Sequence, residues 1–97
     1  MRRVEKYKLF PDASTLEMPK GAEILNVQLD GDQVFVYALV EPQAPTERRH
    51  FLSGTIEATF PGKDDARLKY IGFVKLTWTV CHIFEAFPVD HCLPTQG

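Results

Sequence analysis

The chain has 97 residues, 44% of them hydrophobic and 25% charged, with a formal net charge of −2. A chain of this length builds one core and one domain, and its balance of apolar and charged residues is that of a folded protein. The longest apolar run, Val34 to Val40, falls far short of the roughly 20 residues of a membrane-crossing helix, and the acidic balance excludes bulk attraction to nucleic acid, which needs a basic face.

In chain order, the basic start Met1-Arg2-Arg3 is not followed by the apolar stretch of a secretion signal, because Lys6 and Lys8 interrupt Tyr7 and Leu9. The expectation is a protein that stays in a reducing cytoplasm. Breaker residues recur at short intervals, the pattern of an all-β domain, and divide the chain into strands over Val4–Phe10, Thr15–Met18, Glu23–Leu29, Gln33–Glu41, Arg48–Ala58, Lys69–Leu76 and Thr77–Phe87. In Glu23–Leu29 the apolar Leu25, Val27 and Leu29 share one face, as in a half-buried strand. Asp30-Gly31-Asp32 then turns the chain into Gln33–Glu41, which makes Glu23–Glu41 a hairpin.

Val34 to Val40 is apolar on both alternating faces and ends at Glu41-Pro42, so it reads as a strand covered on both sides at the centre of the fold. Pro42 to Pro45 is a loop. Arg48–Ala58 is half polar and weaker as a core element, and Gly54 within it marks a bulge or a close approach of another segment. Asp64 to Leu68 has room for one helical turn with Asp64 at its N-cap. Trp78–Phe87 puts Trp78, Val80, His82 and Phe84 on one face and Thr79, Cys81, Ile83 and Glu85 on the other, and this strand should join Val34–Val40 at the centre of the core. The fold class is therefore all-β, a compact antiparallel sandwich or partly open barrel of about seven strands, with residues 1–87 as the domain and 88–97 as a tail.

No chemistry stands out. Ser53, Thr55 and Cys81 are candidate nucleophiles, but none sits in a glycine-flanked elbow or at a predicted helix start. Asp64 and Asp65 are adjacent on a turn, where a solvated face is commoner than an acid–base pair. His50, His82, His91, Cys81 and Cys92 show no metal-ligand spacing, and a strand points Cys81 and His82 to opposite faces. His82 reads as a histidine at the core rim, bonded to backbone or Glu85, and Cys81 and Cys92 as reduced thiols. Arg48, Arg49 and His50 form a second basic group after the N-terminal one. Neighbouring strand residues alternate, so at most one of the two arginines reaches a shared pocket, and their simplest role is to guard an exposed strand edge. Tyr37, Phe51, Tyr70, Phe73 and Trp78 lie in strand patterns and read mostly as core. No catalytic residue, metal or cofactor is expected.

Read in order, Lys6-Tyr7-Lys8-Leu9, Leu16-Glu17-Met18-Pro19-Lys20-Gly21-Ala22 with Ile24-Leu25, Ala38-Leu39-Val40-Glu41-Pro42, Arg49-His50-Phe51 with Gly54-Thr55, Tyr70-Ile71-Gly72 and His82-Ile83-Phe84-Glu85 form an ordered series. It resembles a family of small proteins of unknown function encoded mainly in bacteriophage and prophage genomes. Members of that family tend to carry Gly-Thr-Gly-His where this chain has Gly54-Thr55-Ile56-Glu57, and they often stop near the His-x-Phe-Glu block, which here is followed by Ala86 to Gly97. The resemblance implies a phage accessory protein in the host bacterial cytoplasm. The expected function is non-enzymatic: binding and inhibition of a host bacterial protein, such as a component of anti-phage defence of the CRISPR–Cas type. Strand edges and the residues Arg48, Arg49, His50, Asp64 and Asp65 would supply the contacts. A binding protein that sequesters a small nucleotide signal, in a pocket that a homodimer would complete, and a minor virion or assembly component are the alternatives.

Overall fold

The computed structural model describes residues 1–88. Seven strands follow one another: β1 (Arg3–Leu9), β2 (Ala13–Pro19), β3 (Glu23–Asp30), β4 (Gln33–Val40), β5 (Thr46–Gly54), β6 (Ala66–Lys75) and β7 (Val80–Pro88). They form two antiparallel sheets, one ordered β1-β4-β3 and the other β2-β5-β7-β6, which do not close into a barrel. The all-β expectation holds, and among the described residues there is no helix. The tail placed at 88–97 starts inside β7 at Pro88; its remainder, with His91 and Cys92, lies outside the described residues.

The hairpin read from Asp30-Gly31-Asp32 is present, with Asp30 paired to Gln33 and Gly31 at φ 66°. A positive φ at the first central residue only is the type II′ pattern, whose twist matches that of the flanking strands. β4 lies between β1 and β3, but only one of its faces is closed. Val36, Ala38 and Val40 are at most 1% exposed, whereas Phe35, Tyr37 and Leu39 on the outer face are half-buried. The apolar outer residues lie beside long side chains from β1, and Lys6 Nζ sits 4.5 Å from the Phe35 ring centre, so cover comes from neighbours on the same sheet.

The shared core joins those β4 residues to Leu9, Val27, Met18, Phe51, Val74 and Ile83 from both sheets. Phe51, 1% exposed, is among the largest fully buried side chains, and β5 is an interior strand between β2 and β7. This corrects two expectations, that β5 is a weak core element and that Arg48 and Arg49 guard an edge. Of the polar residues that weaken its pattern, Arg49 is paired internally with Glu85, as described below. β5 also ends at Gly54 and not at Ala58, because Glu57 takes φ 75° and Ala58 N–H bonds Thr55 O at 3.0 Å, turning the chain back. The close approach expected at Gly54 is real: a Cβ there would lie 2.6 Å from Ala58 Cβ and 2.9 Å from the Phe60 ring.

The predicted helical turn after Asp64 is a single tight turn closed by Asp65 and Ala66 N–H on Gly62 O, with β6 starting at once. The two last predicted strands abut at Leu76 and Thr77, and the structure shows why they cannot. An antiparallel pair needs a loop, and it occupies Leu76 to Thr79, closed by Leu76 N–H on Thr79 O at 2.7 Å. Trp78 is thereby taken out of the strand and is 79% exposed. In β7 the buried face carries Ile83 and Glu85, while His82 and Phe84 lie on the other.

Candidate interaction surface

Charged groups of the four-stranded sheet fall into two sets. At one end Arg49 is turned inward and held on three sides: its Nε donates to Glu85 Oε2 at 2.6 Å, one terminal nitrogen to Glu85 Oε1 at 2.9 Å, and the other to Ala22 O at 2.6 Å. The two side chains are 15% and 3% exposed. This bidentate pairing is the strongest geometry available to a guanidinium and a carboxylate, and the hydrogen bonds to Glu85 hold Arg49 even more firmly protonated than usual. A buried pair of this quality is structural, since each charge satisfies the other.

Of the residues singled out in the sequence, then, Arg49 is committed to the interior, and Arg48 points outward to an exposed, loose pairing with Glu17 at 3.8 Å. The His50 Nδ1 lies 3.0 Å from Thr15 Oγ1 across the β2–β5 pair. Asp64 and Asp65 are exposed in the turn before β6, on the far side of β7 from β5, and share no contact with the first group. A hollow of about 520 Å³ is bordered by Arg48, Arg49, His50, Glu47, Glu85 and Phe87. It offers an anion little, because Glu85 occupies Arg49 and Glu47 adds a second carboxylate. The N-terminal cations do not join this group either. Arg2, Arg3 and Lys6 lie on the other sheet, beside Glu23, Glu5 and Asp30.

The second set is the β6–β7 hairpin. Tyr70 and Phe73 are three residues apart, which a regular strand would place on opposite faces. A bulge between Tyr70 and Gly72 inserts Ile71 and restores them to one side. There Tyr70 stands opposite Phe84 and Phe73 opposite His82. The His82 ring lies between the two, 5.7 Å from the Tyr70 ring and 6.3 Å from that of Phe73, and its Nδ1 is 2.8 Å from Tyr70 Oη. His82 thus pairs with Tyr70, where backbone or Glu85 was the expected partner. Phe84 and Phe60 pack edge-on behind Tyr70, with ring centres 5.2 Å (Tyr70–Phe84) and 5.0 Å (Phe60–Phe84) apart.

Tyr70, Phe73 and Trp78 are 48%, 57% and 79% exposed, so three of the five aromatics expected in the core are on the surface; Phe51 is buried and Tyr37 half-buried. From Ala66 to Phe84 the chain carries Arg67, Lys69 and Lys75 and no carboxylate. All three cations are exposed, and among the described residues none forms an ion pair. The missing carboxylates were visible in the sequence; the bulge that aligns the rings was not.

Among the described residues no three His, Cys, Asp or Glu side chains gather as a metal site. Cys81 is a free, partly buried thiol bordering an apolar hollow of about 410 Å³ with Leu9, Phe10, Val34 and Leu76. Among the described residues no helix is long and apolar enough to cross a membrane.

A family model described as a domain of unknown function, DUF7352, matches residues 1–90. The chain belongs to this family. The DUF7352 match covers every strand of both sheets, so the interior pair and the exposed hairpin both fall within the family domain. No curated protein and no solved structure matches the chain.

Proposed function

We propose that this DUF7352 protein works by binding and not by catalysis, as a phage accessory factor that docks on a protein of its bacterial host and inhibits it, with the β6–β7 hairpin as its contact surface. The observation that carries this reading is the exposure of Tyr70, Phe73 and Trp78 on one hairpin. Apolar rings left in water forgo roughly 1.5–3 kcal/mol each that burial would supply, and tyrosine and tryptophan are the residues on which interface energy concentrates. The resemblance to small phage and prophage proteins supports the setting, the host cytoplasm, and makes a component of anti-phage defence the favoured target. Nucleotide sequestration ranks lower, because the hollow beside Arg48 and Arg49 has its buried guanidinium already neutralised by Glu85.

The test is capture from a lysate of the infected host on the immobilised full chain, in parallel with the Phe73→Ser/Trp78→Ser variant. A host protein retained by the wild type and lost from a variant of unchanged melting temperature is the expected result. Equal retention by both would remove the hairpin from the interface.

A further inference from the structure

We infer that the β6–β7 hairpin recognises single-stranded nucleic acid, so that the host target is engaged through the strand it carries. This rests on the hairpin as the contact surface and specifies what chemistry meets it.

Two independent features point the same way. The first is the arrangement of rings. Tyr70 and Phe73 stand on one side of a sheet with His82 between them, and the bond from Tyr70 Oη to the His82 ring holds the tyrosine in place. Fixed aromatic faces on a β-sheet are the platform on which unpaired bases stack, and the stacking tolerates any sequence because every base has a π-face. Trp78, in the loop at the tip of the same hairpin, is a further exposed ring at 79%.

The second feature is charge. Lys75 lies on the ring-bearing side of β6, opposite Val80, and Arg67 and Lys69 project from the other side of the same strand. One cation thus stands beside the rings; β6 is the edge of its sheet, and on the other face Lys69 has Glu85 opposite it in the register. On the other sheet Arg2, Arg3 and Lys6 each have a carboxylate beside them, whereas Lys75, like Lys8 and Lys20, forms no ion pair among the described residues. A partner that covers the rings must also answer the charge of Lys75, and lysine is depleted where protein surfaces meet. A strand of bases and phosphates satisfies both demands. A duplex does not, because its bases are stacked on one another and present no free face to the rings.

The chain's net charge of −2 confines the attraction to this site. One phosphate contact, at Lys75, corresponds on a single strand to a slope of about −0.7 in log affinity against log salt.

Binding of a fluorescein-labelled oligo(dT) of about 15 nucleotides to the full chain, followed by anisotropy, tests this, and quenching of Trp78, the only tryptophan, gives a second readout. The expected result is binding with that salt slope, at least about tenfold weaker for a duplex of the same length, and weakened about tenfold by Phe73→Ser and by Lys75→Glu at unchanged melting temperature. No binding of oligo(dT), or binding that Phe73→Ser leaves intact, overturns it. If a nuclease-treated lysate still yields a host protein that depends on Phe73, a protein surface meets the hairpin: this inference falls and the proposed function stands. If Phe73→Ser alters neither oligonucleotide binding nor capture, both fall.

Discussion

Arg49 and Arg67 sit on strands of the same sheet, separated by β7, yet they belong to different chemistry. Arg49 faces inward onto Glu85 and the Ala22 carbonyl, with every contact saturated. Arg67, with Lys69 and Lys75, is exposed to water on the β6–β7 hairpin and forms no ion pair among the described residues. The difference teaches that a charge is assigned to structure or to recognition by the partner the fold gives it, and β7 supplies both kinds: Glu85 turns in at one end, His82 turns out toward the other.

The comparison breaks most visibly at Arg49. Arg49→Ala leaves Glu85 buried with its charge unanswered, and urea denaturation should show a loss of about 3–5 kcal/mol. A loss under about 1 kcal/mol would mean that water reaches Glu85 and the pair is not structural. Gly54→Val comes next. Its side chain meets Ala58 and Phe60, so overpacking should cost about 1–3 kcal/mol in the same measurement, with the segment behind the aromatic row displaced.

The double change Arg49→Met/Glu85→Leu should be much milder than Arg49→Ala, at about 1–2 kcal/mol, because only the Ala22 carbonyl is left without its donor. A double variant as unstable as the single one would show that the site needs charge. The smallest effect belongs to the other region: Phe73→Ser and Trp78→Ser should each move stability by no more than about 0.5 kcal/mol, as exposed positions do. Together these values separate residues that hold the fold from residues that the fold displays.

Much of the fold was legible in the chain. β-branched runs, breakers and the Asp30-Gly31-Asp32 turn located every strand and its approximate ends, because these signals are local. Legibility failed where a single residue shifts register. Ile71 in its bulge places Tyr70 and Phe73 on one side, and the loop from Leu76 to Thr79 puts Trp78 outside the strand whose alternation it appears to share. Period-two reading carries no information about either. The Arg49–Glu85 pair was missed for a different reason. Its partners are 36 positions apart, and only the pairing of β5 with β7 brings them together. Arg48, Arg49 and His50 stood out as a basic cluster, but burial, which divides them, is a property of the sheet.

The order of strands bears on how the molecule comes into being. Among the described residues β1 finds its only neighbour in β4, with Arg3 against Val40, and β2 finds its only neighbour in β5, with Ala13 against Leu52. As the chain leaves a ribosome, its first two strands must wait unpaired while β3 and β4, joined by a two-residue turn, form the earliest unit that needs nothing else. Pairings of such long sequence separation make folding slow for a chain of this size, and they leave two edges open in the meantime. The lysines of β1, at positions 6 and 8, keep such an edge from pairing with other nascent chains during that delay.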